Sequence, residues 1–383
     1  MKLTKSLFLA FAGLGLFACS NEEIADNGGK IEGPADVVVK LDLPGYVNGG
    51  SRALETNFTS NKTVNPSYVV VTVEGKNGAT VDKEYTGGNI TIQGVEDPTK
   101  ITVEINTKKK VGEEWVAVPY ATFAQLNDIT VAGTRMIGTV EGAANFQKDA
   151  EGTKYTVTVP VHHTMARLEF GGIKHDAHGE GTSCRFKAGK LAGVFLNHVQ
   201  LSSTPSTLKD YQETEIGGKD FFSGEGSTGW WDAIAGDNFF PNASAVYPNT
   251  GECYAYNIYP AAGAESLPVL TLYFTNLEEQ SNATSHFVGP NGFALVKTYK
   301  VSKDAFESNP DLKTALCGET PKVLDGGQNY QVINFPAGYI YQIKSLNVPD
   351  EAVHPDPTGE GVNLEATISV DEWQIVAGSV DWK

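Results

Sequence analysis

The chain has 383 residues, and 29 Lys and Arg against 46 Asp and Glu give a formal net charge of −17. That acidity argues against nucleic acid and anionic membrane surfaces as partners, and the length suffices for about two domains of ordinary size, each with its own core. The charge favours solubility but identifies no ligand.

In chain order, Lys2 and Lys5 precede an apolar stretch at 7–17. It is too short to cross a bilayer as a helix and reads as a secretory signal, residues 1–19. Leu16-Phe17-Ala18-Cys19 closes it. A cysteine directly after a small residue at that point resembles a lipobox, although Phe17 departs from the smaller residue usual there. Cys19 is therefore the expected site of lipidation, with ordinary signal-peptidase cleavage as the alternative. Ser20-Asn21-Glu22-Glu23 follows and looks like the surface-export signal of Bacteroidetes lipoproteins.

The remainder reads as β. Val37, Val39, Leu41 and Leu43 alternate with polar or second-face residues, which predicts a half-buried strand. Further strands rich in Val, Ile, Thr and Tyr are predicted at 68–74, 89–93, 100–106, 153–160 and 166–170. Gly87-Gly88 and Asp97-Pro98 supply turns between them. Beyond Gly171-Gly172, strands are predicted at 193–201, 253–259, 269–274, 292–301, 339–346 and 363–370. Ser302 could cap a short helix to Ser308, stopped by Asn309-Pro310. Strands without intervening helices imply an all-β chain of two tandem sandwiches with short helices in loops. The divisions expected are 53–170 and 171–347, then 348–383 as an extended, solvated Pro- and acid-rich linker followed by a last strand.

Signals for catalysis are thin, and no enzyme is expected. Gly224-Glu225-Gly226-Ser227-Thr228-Gly229 spells a dinucleotide fingerprint, yet Trp230-Trp231 follows in place of a helix and no βαβ unit surrounds it. His162-His163 and His175-x-x-His178 lack a fixed face and a completing carboxylate, so they are read as solvated loop histidines, with no metal and no cofactor. Trp230-Trp231, between Phe221-Phe222 and Phe239-Phe240, is either a sugar-stacking platform or core and loop cover, and the latter is favoured. Beyond Cys19, the cysteines Cys184, Cys253 and Cys317 are an odd number; buried unpaired thiols are favoured over one bridge.

Four features together resemble the major fimbrial subunit (fimbrillin, type V pilin) family of Bacteroidetes. They are the lipoprotein signal; the 37–43 strand with a Gly-rich loop and Ser51-Arg52-Ala53; His163-Thr164-Met165-Ala166-Arg167-Leu168-Glu169-Phe170; and the alternating terminus from Leu364 through Asp371-Glu372-Trp373. The resemblance implies transthyretin-like sandwiches, a propeptide at 20–52 and a cut between Arg52 and Ala53 by an Arg-specific protease. It implies that the strand carrying Val37, Val39, Leu41 and Leu43 is displaced. The strand carrying Leu364, Ala366, Ile368, Val370 and Trp373 would then be donated to a neighbour. The partners implied are identical subunits in a head-to-tail, adhesive filament at the cell surface, with minor tip and anchor pilins. Tip or anchor roles, and a surface glycan-binding lipoprotein, are the alternatives to a shaft subunit.

Overall fold

The computed structural model describes residues 34–42, 53–55, 66–117, 135–176, 185–200, 208–209, 231–234, 238–242, 244–261, 263–281, 289–306, 309–356 and 363–372. The first ten strands are β1 (Ala35–Asp42), β2 (Ala53–Glu55), β3 (Tyr68–Lys76), β4 (Thr80–Glu84), β5 (Ile90–Ile105), β6 (Lys108–Val111), β7 (Glu114–Ala117), β8 (Met136–Glu141), β9 (Lys154–Pro160) and β10 (His162–His163). All but β2 and the β6–β7 hairpin belong to one seven-stranded sheet with the path β10-β8-β5-β1-β9 and β3-β4 joined through β5. The strand predicted at 153–160 is β9, in which Tyr155, Val157 and Val159 are buried between exposed neighbours.

The two strands expected at 89–93 and 100–106 are one bent strand. β5 pairs with β1 over Ile90–Val95 and with β3 and β8 over Lys100–Ile105. Gly94 (φ 68°), near the end of the first half, and Asp97 (φ 49°), between the halves, turn the backbone. A left-handed residue bends a strand without ending it, which is how Asp97-Pro98 mimics a turn in sequence.

The second group comprises β11 (Ala166–Phe170), β12 (Ile173–His175), β13 (Phe186–Asn197), β14 (Val199–Gln200), β15 (Leu208–Lys209), β16 (Trp231–Ala233), β17 (Asn238–Phe240), β18 (Val246–Tyr247), β19 (Cys253–Ile258), β20 (Val269–Glu279), β21 (Gly292–Ser302), β22 (Val323–Leu324), β23 (Asn329–Gln331), β24 (Tyr339–Ile343), β25 (Leu346–Val348) and β26 (Leu364–Glu372). Their main sheet has twelve strands with the path β16-β13-β20-β21-β26-β24-β11-β19-β2. The chain is thus all-β. Sheet membership changes between His163 and Ala166, a few residues before the expected boundary at 170. Gly171-Gly172 is the kink between β11 on β24 and β12 on β25. Gly172 has φ +62°, and a Cβ there would lie 2.3 Å from the Lys344 carbonyl oxygen, so only glycine fits.

One α-helix is described, α1 (Pro310–Cys317), and it starts where a helix was expected to stop. Asn309 Oδ1 accepts the Leu312 N–H at 3.0 Å, and Pro310 occupies the first turn. Proline needs no N–H partner there, so Asn-Pro opens a helix here as it would close one elsewhere. The stretch after Ser302 forms only a 3-10 turn, Lys303–Phe306. No described helix is long and apolar enough to cross a membrane. Buried side chains of both sheets form one continuous apolar cluster.

Candidate functional site

β1 lies between two strands. It runs antiparallel to β5, with Val37 opposite Ile92 and Val39 opposite Ile90. It runs parallel to β9 over seven residues, from Asp36 opposite Lys154 to Asp42 opposite Pro160. The register is set by apolar alternation, since Val37 and Val39 are fully buried, Ala35 is 4% exposed and Leu41 packs on the core from one side. Backbone bonds continue the pairing at both ends, Asp36 N–H to the Thr153 carbonyl at 2.9 Å and Val161 N–H to the Asp42 carbonyl at 3.2 Å. For β9 the dependence is one-sided. Apart from an isolated bridge between Lys148 and Tyr155, β1 is its only ladder partner among the described residues.

Residues 43–52 join β1 to β2, and β2 belongs to the other sheet, where Ala53 pairs with Ala255 and Glu55 with Cys253. Leu43 and Arg52 lie outside the described residues, as do Cys19 and Trp373. A cut between Arg52 and Ala53 would sever β1 from every other described strand while leaving β2 attached to β19.

β26 differs. Leu364–Ile368 pairs in parallel with β21, and Ser369–Glu372 pairs antiparallel with β24. The strand therefore crosses from one half of the twelve-stranded sheet to the other, paired along one edge at a time. Leu364, Ala366 and Ile368 are buried, Val370 packs on the core, and Glu365 and Thr367 face solvent. In the free chain the tail is thus seated in its own sheet.

A buried polar row reaches this strand. The Arg167 Nε–H donates to Glu169 Oε1 at 2.9 Å, with side chains 1% and 0% exposed. Gln342 Nε2 donates to Glu169 Oε2 at 3.0 Å, and the Ser369 hydroxyl donates to Gln342 Oε1 at 3.4 Å. Glu169, Gln342 and Ser369 stand opposite one another on β11, β24 and β26. Sequence reasoning missed this row. Arg167 and Glu169 alternate with Ala166, Leu168 and Phe170, a pattern that reads as one wet face, yet all five are buried.

The linker expected to be solvated from Val348 is packed in its first half. Val348, Ala352 and Val353 are buried, and Asp350 is 4% exposed. Its acids misled: the Asp350 carboxylate is taken up by a buried histidine, His175, and a backbone amide.

The histidines also depart from the solvated reading. His175 and His163 are buried on β12 and β10, and His178 lies outside the described residues. Burial, with His162 beside it, pushes the His163 pKa down to about 3. Among the described residues no group of three or more His, Cys, Asp or Glu side chains is placed to hold a metal ion. Phe239 and Phe240 are both core residues, packed on Phe274. Phe221-Phe222, Trp230 and the 224–229 glycine motif lie outside the described residues. Trp231 is placed only as a strand residue of β16. Cys253 and Cys317 are buried, and burial raises the Cys317 thiol to about 12; Cys184 lies outside the described residues.

No protein-family profile and no curated protein matches the sequence. The chain is similar to solved structures of Bacteroidetes fimbrial and adhesion proteins. A Bacteroides eggerthii protein provisionally assigned to cell adhesion is 16% identical, with a TM-score of 0.48 over 91% of this chain and 100% of that one. A fimbrilin from Porphyromonas gingivalis is 12% identical, with a TM-score of 0.46 over 91% and 99%. The tip fimbrial protein Mfa3 of the same organism, with a C-terminal truncation, is 8% identical, with a TM-score of 0.38 over 88% and 99%. With TM-scores below 0.5, these likenesses concern strand arrangement and decide nothing about activity.

Proposed function

We propose that the chain is a structural shaft subunit of an adhesive surface fimbria, exported as a lipoprotein precursor lipidated at Cys19. An Arg-specific protease cuts between Arg52 and Ala53, the strand carrying Val37, Val39, Leu41 and Leu43 leaves, and its slot takes the tail of the next identical subunit. Minor tip and anchor pilins of the same system complete the filament. The observation that carries this reading is the position of β1. It is an interior strand of its sheet, between β5 and the edge strand β9, yet a single cut in 43–52 disconnects it from the rest. Its departure strips β9 of its ladder partner and bares the pocket filled by Ala35, Val37 and Val39. Buried Val-sized side chains contribute about 1.5–3 kcal/mol each, and unpaired strand edges favour any strand that can pair with them. The tail has a matching two-residue period in Leu364, Ala366, Ile368 and Val370. Addition of such a strand from another copy uses two different surfaces per subunit, which generates an open filament.

The experiment is maturation in cells. Surface protein is expected to begin at Ala53, and an Arg52→Ala chain to retain β1 and stay monomeric. A fatty-acid probe is expected to label the precursor but not a Cys19→Ser chain. Normal filaments from Arg52→Ala would remove the cut from the mechanism.

A further inference from the structure

Between β25 and β26 a set of buried polar contacts gathers three distant parts of the chain. Asp350 opens a 3-10 turn after Pro349. Its carboxylate accepts the Nε2–H of His175 at 2.9 Å, and the two side chains are 5% and 0% exposed. The second carboxylate oxygen accepts the backbone N–H of Arg185, just before β13. A carboxylate this deeply buried must be paired, and here both oxygens are. Four residues on, His354 and Phe293 exchange both backbone bonds, at 2.7 and 2.8 Å, which ties the connector to β21. Ala352 and Val353, at 0% and 1% exposure, fill the space between. By contrast, β26 is paired along one edge at a time, and its outer face carries Glu365 and Thr367 to solvent.

We infer that this clasp is the fixed pivot of the C-terminal segment: the chain is held to its own body through His354, and the exchangeable portion begins at Pro355. The inference rests on the proposal above that the tail is exchangeable, and it says where exchange stops. Asp350 acts as a positioning residue, holding the connector against β12 and β13. From His354 to Leu364 are ten residue steps, a reach of about 33–36 Å when extended, near the diameter of a small domain. A donated strand therefore reaches a neighbour with the clasp closed, and Val348, Asp350, Ala352 and Val353 stay buried in the donor.

Hydrogen exchange on the free full-length subunit tests this. In the wild-type chain the amides of Phe293 and His354 are expected to exchange only on global unfolding, and those of Ala366 to Ile368 about tenfold faster or more, through local opening. In Asp350→Asn, which loses charge-assisted bonds, protection of the His354 amide is expected to fall about 10- to 100-fold. The Val69 and Val71 amides of β3 are expected to keep theirs. Wild-type His354 exchanging together with, or before, Ala366 to Ile368 overturns the pivot. Unchanged His354 protection in Asp350→Asn overturns the role of Asp350. If that variant fails to fold, the wild-type order still decides. Neither readout uses polymerisation, so a failure to form filaments with the clasp intact counts against the proposed function alone.

Discussion

β1 and β26 share an apolar period of two but are held in different ways. β1 is laddered to β5 and β9 at once over much of its length, whereas β26 gives Leu364–Ile368 to β21 and Ser369–Glu372 to β24. A strand paired on both edges leaves only if many bonds break together, and a covalent cut between Arg52 and Ala53 would make such a departure permanent. A strand paired on one edge at a time can peel residue by residue and needs no cut. That difference supports the roles proposed for them, one displaced after proteolysis and one exchanged intact. Because the tail is seated at home in the free chain, truncation after Gly361 is expected to lower stability whether or not the tail is donated. Cysteine crosslinks between subunits, as against within one chain, are what separate those readings.

The comparison breaks most sharply under paired charge insertions. Val39→Asp places a carboxylate at a fully buried position between Ile90 and Val157. Such a burial costs several kcal/mol, on the scale of the roughly 5–15 kcal/mol that holds a whole domain. The expected result is loss of exchange protection across β5, β8 and β9. Ile368→Asp is expected to free β26 alone, at roughly 4–7 kcal/mol of burial lost from Leu364, Ala366 and Ile368. If Ile368→Asp also unprotects β5 and β9, the tail is no more separable than β1.

The buried row sharpens the same contrast, because it reaches β26 only at its end, through Ser369. Glu169→Ala removes the carboxylate that accepts from the buried Arg167 guanidinium and is expected to cost about 3–5 kcal/mol in urea denaturation. A combined Arg167→Met, Glu169→Leu chain should lose less than either single change, since neither buried charge remains. Ser369→Ala, deleting one 3.4 Å bond, should cost no more than about 1 kcal/mol. A loss from Ser369→Ala matching that of Glu169→Ala would make the tail part of the buried network.

Acid should act on the β1 half first. His163, on β10 of the seven-stranded sheet, has its folded pKa depressed from 6.5 to about 3, chiefly by burial and then by His162. The unfolded chain takes up a proton near pH 6.5 that the folded chain refuses. Its contribution is therefore full above that pH and declines as pH falls towards 3. At pH 5 the loss is about 2 kcal/mol, from about 1.36 kcal/mol per pH unit. Urea midpoints at pH 7 and pH 5 should show this drop, and His163→Phe should abolish most of it. An equal drop in that variant would assign acid sensitivity elsewhere.

Much of this was legible from alternation. The apolar period places β1, β9 and β26 because one face of each meets a core, and that physics is local. What alternation could not show is what covers the second face. Arg167 and Glu169 gave no sign of burial, His163 and His175 read as loop residues, and Asp350 as part of a solvated linker. Each is buried because a segment distant in sequence supplies a partner or a cover. Asn309-Pro310 and Asp97-Pro98 failed for a different reason: the same dipeptide chemistry serves a helix start or a strand bend as readily as a stop. The partnership of β1 with β9, on which the displaced-strand reading leans, joins residues more than a hundred positions apart and leaves no trace in either segment.

The smallest expected effect concerns what holds β26 laterally. Lys300 Nζ lies 3.1 Å from Glu365 Oε2 and 2.8 Å from Asp325 Oδ2, with Glu365 half exposed at 49%. Asp325 and then Glu365 raise the Lys300 pKa, so the ammonium persists across the physiological range. Solvent screens the Glu365 arm, and exposed pairs of this kind contribute about 0.2–1 kcal/mol. A double-mutant cycle of Lys300→Met and Glu365→Gln should therefore give a coupling below about 1 kcal/mol that shrinks in high salt. Asp325 complicates the single Lys300 change but cancels in the cycle. If the coupling is this small, β26 is held by its apolar face, and its release depends on what apolar slot is offered elsewhere. A salt-insensitive coupling of 2 kcal/mol or more would instead make the tail an electrostatically clamped strand. Its transfer to a neighbour would then require that neighbour to present a matching cation, which the slot left by Ala35, Val37 and Val39 does not call for.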